Sequence, residues 1–127
     1  MHDPNTLDSN LAASIQCVLS DVDGVMTDGR IIYDSSGNET KQFHVRDGLG
    51  IKLWMRAGFR FGIITARDSL MVQRRAEELG IDHVSQGSGD KLSRARKILP
   101  EFGLDFSSLC YIGDDLPDLK VMGQAAL

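Results

Sequence analysis

The chain has 127 residues, a net charge of −4 and 42% hydrophobic residues. That length suits one domain with a single core. The weak negative charge gives no basis for attraction to nucleic acid or to an anionic membrane surface, and no apolar run approaches the ~20 residues needed to span a bilayer.

Residues 1–14 form a polar lead-in, loose or briefly helical, with Asp3 and Asp8 and no basic region. This is not the pattern of a secretory signal. Residues 15–127 read as one α/β domain. Ile15 to Ser20 is the first strand and ends in Asp21-Val22-Asp23-Gly24. Gly29 to Asp34 and Thr40 to Val45 flank the turn-rich pentad Ser35-Ser36-Gly37-Asn38-Glu39 and predict a β-hairpin with a longer loop. A two-stranded hairpin is weak alone, so Ile31, Ile32, Tyr33, Phe43 and Val45 need something to pack on, a neighbouring subunit being one candidate.

Leu49, Leu53 and Ala57 recur at helical spacing, predicting a helix over 47–57 that ends at Gly58. Phe59 to Ile64 is a second buried strand, leading into Thr65-Ala66-Arg67. A helix over 69–79 follows, with Gly80 after it, then a short strand over 82–86. Gly87 to Asp90 cap a helix from Lys91 to Leu99, which Pro100 is expected to stop. Leu109 to Ile112 is another strand, followed by Gly113-Asp114-Asp115 and a helix with Pro117 in its first turn, running to about Met122. Ala125 to Leu127 reads as the start of one more strand. Cys17 and Cys110 both fall in apolar strands and read as reduced core thiols of a cytoplasmic protein.

Strands alternating with helices at this spacing imply a three-layer, Rossmann-like parallel sheet with right-handed crossovers. In such sheets the site lies beyond the carboxyl ends of the strands. Asp21, Asp23, Thr65 and Asp114 each follow a strand directly, and Lys91 follows the short strand by a few residues. Two acids one residue apart, Asp21 and Asp23, face the same side of an extended chain and repel unless a cation lies between them. Few carboxylates plus phosphate oxygens suit Mg²⁺, and Asp114 would complete that set with Asp21.

Each part has an ordinary reading as well. Asp-x-Asp is a solvated acidic turn, Thr65 a strand-end hydroxyl, Lys91 a surface lysine, and Asp114-Asp115 a helix cap. Lys91 at a helix N-terminus opposes the dipole, which points to an anion nearby. Together the parts make one mechanism. Asp21 attacks phosphorus to form an aspartyl-phosphate. Asp23 protonates the leaving alcohol and then activates water. Mg²⁺, Thr65 and Lys91 neutralise the phosphoryl oxygens.

The segments Asp21-Val22-Asp23-Gly24-Val25, Ile63-Ile64-Thr65-Ala66-Arg67, Lys91 and Gly113-Asp114-Asp115 resemble the four motifs of the haloacid dehalogenase-like phosphatases. Thr27-Asp28-Gly29 and the stretch from Phe43 to Lys52 resemble the small branch without a large cap domain, which includes 3-deoxy-D-manno-octulosonate 8-phosphate phosphatase. The resemblance covers about Ile15 to Leu127. It implies Mg²⁺ held by the side chains of Asp21 and Asp114 and the carbonyl of Asp23. It implies substrate contacts from Asp23, His44, Val45, Arg46, Asp47, Gly48, Lys52, Arg67, Arg75 and Lys91, suited to a phosphorylated sugar acid. It further implies a homotetramer built through the hairpin at 29–45, with neighbours serving as caps.

Two departures stand out. Ala66 occupies a position where the family usually has glycine. The family pattern also runs on past the fourth motif through another strand, a helix and a tail that closes a neighbour's site, and this sequence ends before them. The resemblance leaves nonulosonate 9-phosphates as rival substrates, and a non-catalytic oligomerisation module beside a cytidylyltransferase as a rival role. A signalling receiver domain also uses Asp, Thr, Lys and Mg²⁺, but has no need of a second acid two residues after the first.

Overall fold

A computed structural model describes residues 4–127, with the side chains described from Ser9 onward. The first three residues of the expected lead-in lie outside the described residues; the rest of it is helix α1, Pro4–Ser14. Strand β1, Cys17–Ser20, is the centre of the sheet. A hairpin of β2, Ile32–Tyr33, and β3, Glu39–Thr40, follows it. Then come helix α2, Val45–Arg56, strand β4, Arg60–Ile64, helix α3, Leu70–Leu79, and strand β5, His83–Ser85. Helix α4 spans Lys91–Glu101, strand β6 Leu109–Ile112, and helix α5 Leu119–Met122.

The sheet order is β5-β4-β1-β6, and every neighbouring pair is parallel. Adjacent strand residues point to opposite faces, so the two inner strands, β1 and β4, feed two cores. Leu19, Ile64, Leu109 and Tyr111 pack with Ala95, Ile98 and Leu99 of α4 and Val121 of α5. On the other face Val22, Phe61 and Ile63 pack with Ile51 of α2 and Val72, Ala76 and Leu79 of α3. The expected three-layer architecture with a hairpin after the first strand is therefore the one observed. Among the described residues, no helix is long and apolar enough to cross a membrane.

Several boundaries differ from the sequence reading, each for a local reason. The hairpin strands have two residues each, not six. The expected strand 40–45 keeps only Thr40, and at its far end His44 turns to cap α2, its Nδ1 accepting from the Arg46 N–H at 3.0 Å. Helix α2 accordingly starts at Val45, two residues before the expected Asp47. Ile15 is not yet strand: its N–H closes the end of α1 on the Ala12 carbonyl. Pro100 does not stop α4, which reaches Glu101 before Gly103 turns the chain. Proline costs the helix one N–H bond, but only Glu101 follows it in α4, so no further turn depends on the helix continuing. The helix expected at Pro117 begins as a 3-10 turn over Leu116–Asp118 and becomes α-helical only at Leu119. Ala125 to Leu127 is not assigned as strand, yet the Tyr111 N–H donates to the Leu127 carbonyl at 2.9 Å, beginning a ladder on the outer side of β6.

Candidate active site

Four loops meet beyond the carboxyl ends of the strands and enclose a cavity of about 250 Å³. Its walls include Asp21, Asp23, Thr65, Arg67, Lys91 and Asp114. The parallel sheet does this: β1, β4 and β6 end at one rim, so residues 21, 65 and 113–115 emerge side by side.

Asp21 is anchored at its backbone and its carboxylate. Its N–H donates to the Ile112 carbonyl at 3.0 Å, and Oδ1 accepts from the Val22 N–H at 2.8 Å. Burial pushes its carboxyl above the ordinary range, against the opposing pull of that N–H and of Lys91. Thr65 is buried at the end of β4, its N–H bonded to the Ser85 carbonyl and its own carbonyl to the Ser88 N–H.

Lys91 is not the solvated lysine that its helix-start position allows. Its side chain is buried, with Nζ 2.7 Å from Asp118 Oδ1 and 3.3 Å from Asp21 Oδ1. Asp118, fully buried, also accepts from the Tyr111 hydroxyl and from the N–H groups of Asp114 and Asp115 at 3.1 and 3.3 Å. Burial raises its carboxyl, but the hydrogen bonds from Lys91 and Tyr111 and the Lys91 charge carry it below the usual range. Gly113 is needed here, since a Cβ at that position would collide with the Asp118 side chain.

One carboxylate oxygen each from Asp21, Asp114 and Asp118 lies within 4.8 Å of the others. Oxygens so grouped fit a hard divalent cation. Asp118 is already committed to four donors, which leaves Asp21 and Asp114 as the carboxylates of the group with an oxygen to spare. Asp114 lies against Gly24, whose φ of +86° and missing side chain make the room: a Cβ there would overlap the Asp114 carboxylate.

Two further groups escaped the sequence reading. Lys41 reaches from the hairpin to Asp23, with Nζ 2.6 Å from Oδ1, and to Glu39 Oε1 at 3.1 Å. Glu39 in turn accepts from Arg67 Nη2 at 3.2 Å through both oxygens. No local pattern marks their place at the site, because the contacts that carry them there, Lys41 to Asp23 and Glu39 to Arg67, span eighteen and twenty-eight residues of chain. Asp118 left only an indirect trace in the sequence: a lysine at a helix N-terminus points to an anion nearby without saying which.

The remaining expected substrate residues are not in this cavity. His44 and Asp47 line a neighbouring concavity with Val25, Thr27 and Asp28. Arg46 shares a third hollow with Gly50 and Ile112. Val45 is exposed, and Gly48 lies under Arg75, whose Nη2 is 3.4 Å from the His44 carbonyl. Lys52 lines a separate cleft of about 350 Å³ with Arg56, Arg60 and Phe102.

No family model matches the chain. It is 42% identical over 116 residues to 3-deoxy-D-manno-octulosonate 8-phosphate phosphatase of Yersinia pestis, covering 91% of this chain and 62% of that protein. It is 42% identical over 106 residues to the protein of the same name from Haemophilus influenzae, covering 84% and 59%. The chain thus spans about three fifths of the length of these curated relatives. It also resembles the crystal structure of 3-deoxy-D-manno-octulosonate 8-phosphate phosphatase from Moraxella catarrhalis in complex with magnesium ion, phosphate ion and a KDO molecule. The TM-score is 0.91 at 46% identity, over 98% of this chain and 71% of that one.

Proposed function

Since the chain belongs to the 3-deoxy-D-manno-octulosonate 8-phosphate phosphatase family of the haloacid dehalogenase-like superfamily, we propose that it hydrolyses the phosphate ester of a phosphorylated sugar acid. The substrate is 3-deoxy-D-manno-octulosonate 8-phosphate, and the cofactor is Mg²⁺. The observation that carries this reading is the buried Lys91, held between Asp118 and Asp21 in a cavity shared with Thr65, Asp23 and Asp114. A cavity of about 250 Å³ is smaller than those that enclose whole drug-sized ligands, about 300–1,000 Å³. It suits a phosphoryl group with the sugar projecting outward.

The carboxylates of Asp21 and Asp114 and the carbonyl of Asp23 would hold Mg²⁺. Bound there, the ion supplies positive charge for the phosphoryl oxygens. Asp21 attacks phosphorus, with its backbone contacts fixing the approach. Lys91 and the Thr65 hydroxyl hold the phosphoryl oxygens as charge shifts onto them. Asp23 gives a proton to the leaving alcohol and takes one from the water that cleaves the aspartyl-phosphate.

His44 to Gly48, Lys52 and Arg75 then serve a neighbouring subunit's site in a homotetramer assembled through the hairpin. The exposure of Ile31 (53%) and Tyr33 (61%) on the hairpin supports an apolar contact there. Free thiols at Cys17 and Cys110 support a cytoplasmic setting.

The test is phosphate release from a panel of phosphorylated sugar acids. The octulosonate 8-phosphate turns over fastest, EDTA abolishes release, and Asp21→Asn has no activity. Faster turnover of a nonulosonate 9-phosphate reassigns the substrate. EDTA-insensitive turnover refutes the chemistry.

A further inference from the structure

The hairpin does more than offer an apolar surface. Lys41, directly after β3, has a side chain only 2% exposed, and its ammonium bridges Asp23 Oδ1 at 2.6 Å and Glu39 Oε1 at 3.1 Å. Glu39 holds Arg67 of the loop after β4. The result is a chain of alternating charges, Asp23–Lys41–Glu39–Arg67, that joins the loop after β1, the hairpin and the loop after β4, and its two ends line the cavity.

We propose that Lys41 is a positioning residue: it fixes the Asp23 carboxylate so that its second oxygen faces the leaving group. The inference rests on the phosphatase reading, in which Asp23 exchanges a proton with the leaving alcohol. The geometry favours positioning over substrate binding. Lys41 Nζ already has two carboxylate partners, and Lys41 is not among the residues lining the cavity. Only Oδ1 of Asp23 is bonded among the described residues, which leaves Oδ2 for the reaction. Without Lys41 the Asp23 side chain gains rotamers that point away from the cavity, and misplacement by about 1 Å can cost roughly 100-fold in rate.

The experiment compares kcat/KM of the full chain on an alkyl phosphate, the sugar-acid ester, with that on p-nitrophenyl phosphate, whose leaving group needs no proton. In Lys41→Met the alkyl value falls roughly 10–100-fold while the aryl value falls only a few-fold. Mg²⁺ affinity is unchanged. In an Asp23→Asn background Lys41→Met adds almost nothing, because the pathway runs through Asp23. Equal losses on both substrates, or full additivity with Asp23→Asn, overturn the proposal. Should Lys41→Met fail to fold, Lys41→Arg, which keeps the cation, runs in the same cycle. A smaller loss on the alkyl ester than on the aryl ester in that variant defeats the idea. Absence of Mg²⁺-dependent turnover by the unaltered chain on either ester defeats the phosphatase reading itself, a separate result.

Discussion

Replacing Asp118 by alanine tests the view that Lys91 is held by a buried counter-charge. Asp118 is fully buried and accepts from Lys91, Tyr111 and two backbone N–H groups. Alanine leaves the Lys91 ammonium with Asp21 alone at 3.3 Å. Breaking one side of a buried ion pair costs about 3–5 kcal/mol, and the orphaned Tyr111 hydroxyl adds about 1–3 kcal/mol. Water entering the space left behind offsets part of this, so about 3–5 kcal/mol is the expected loss. A chain of this size has roughly 6–19 kcal/mol to lose, at 0.05–0.15 kcal/mol per residue. Urea unfolding followed by Trp54 fluorescence reads the change. With an m-value of about 2 kcal/mol/M, the midpoint falls by roughly 1.5–2.5 M. The pH dependence has a definite sign. Because the folded state holds the Asp118 carboxyl below its ordinary 3.8, its contribution is complete above that value and disappears as the pH falls through the depressed one. The gap between the two proteins therefore narrows in acid. A loss below about 1 kcal/mol at neutral pH, with the fold intact, would refute the buried-pair account.

Asp21→Asn abolishes turnover yet is expected to raise the melting temperature in EDTA at pH 7. Burial lifts the Asp21 carboxyl above its ordinary 3.8, so the ionised form costs stability above that range; the advantage of asparagine disappears as the pH is lowered through it. Gly24→Ala combines a φ of +86° with a collision against Asp114. A loss of about 1–3 kcal/mol in thermal unfolding, with Mg²⁺ affinity down roughly 10–100-fold by calorimetry, is the expected outcome. Cys17, fully buried and pushed up by burial to about 12, has roughly 10⁻⁴ of its thiol ionised at pH 8. A thiol reagent therefore modifies Cys110 first and Cys17 only on unfolding, as peptide mass spectrometry of the labelled chain will report.

The sheet was legible because its signals are local and strong. The runs read as strands over 15–20, 59–64 and 109–112 become strands over 17–20, 60–64 and 109–112. The rim placement of Asp21, Thr65 and Asp114 follows from the parallel topology alone. What failed were segments whose conformation is fixed by a side chain. His44 looks like a strand residue by its apolar neighbours, but its ring caps α2 and ends the extended run. Pro100 looks like a stop, but α4 runs one residue past it and ends there, so the lost N–H bond falls at the helix end.

The charges at the site divide along the same line. Asp21, Asp23 and Asp114 announce themselves by position after a strand, whereas Lys41, Glu39 and Asp118 are defined by partners that only the fold supplies. The buried cations make this division physical. Lys41 and Lys91 are both nearly inaccessible, and each is shared between two carboxylates. A buried ammonium is tolerable only when paired, so once the fold buries each lysine its two acids are required. The same pairing binds the two acids of the first loop differently. Asp21 shares its lysine with a fixed, fully buried carboxylate, while Asp23 shares its own with the hairpin. The residue proposed as nucleophile is thus tied to the rigid sheet, and the residue proposed to move protons is tied to the element that has only two-residue strands of its own. Whatever steadies the hairpin also steadies Asp23, so a lone subunit is expected to lose proton-transfer steps before it loses phosphoryl binding.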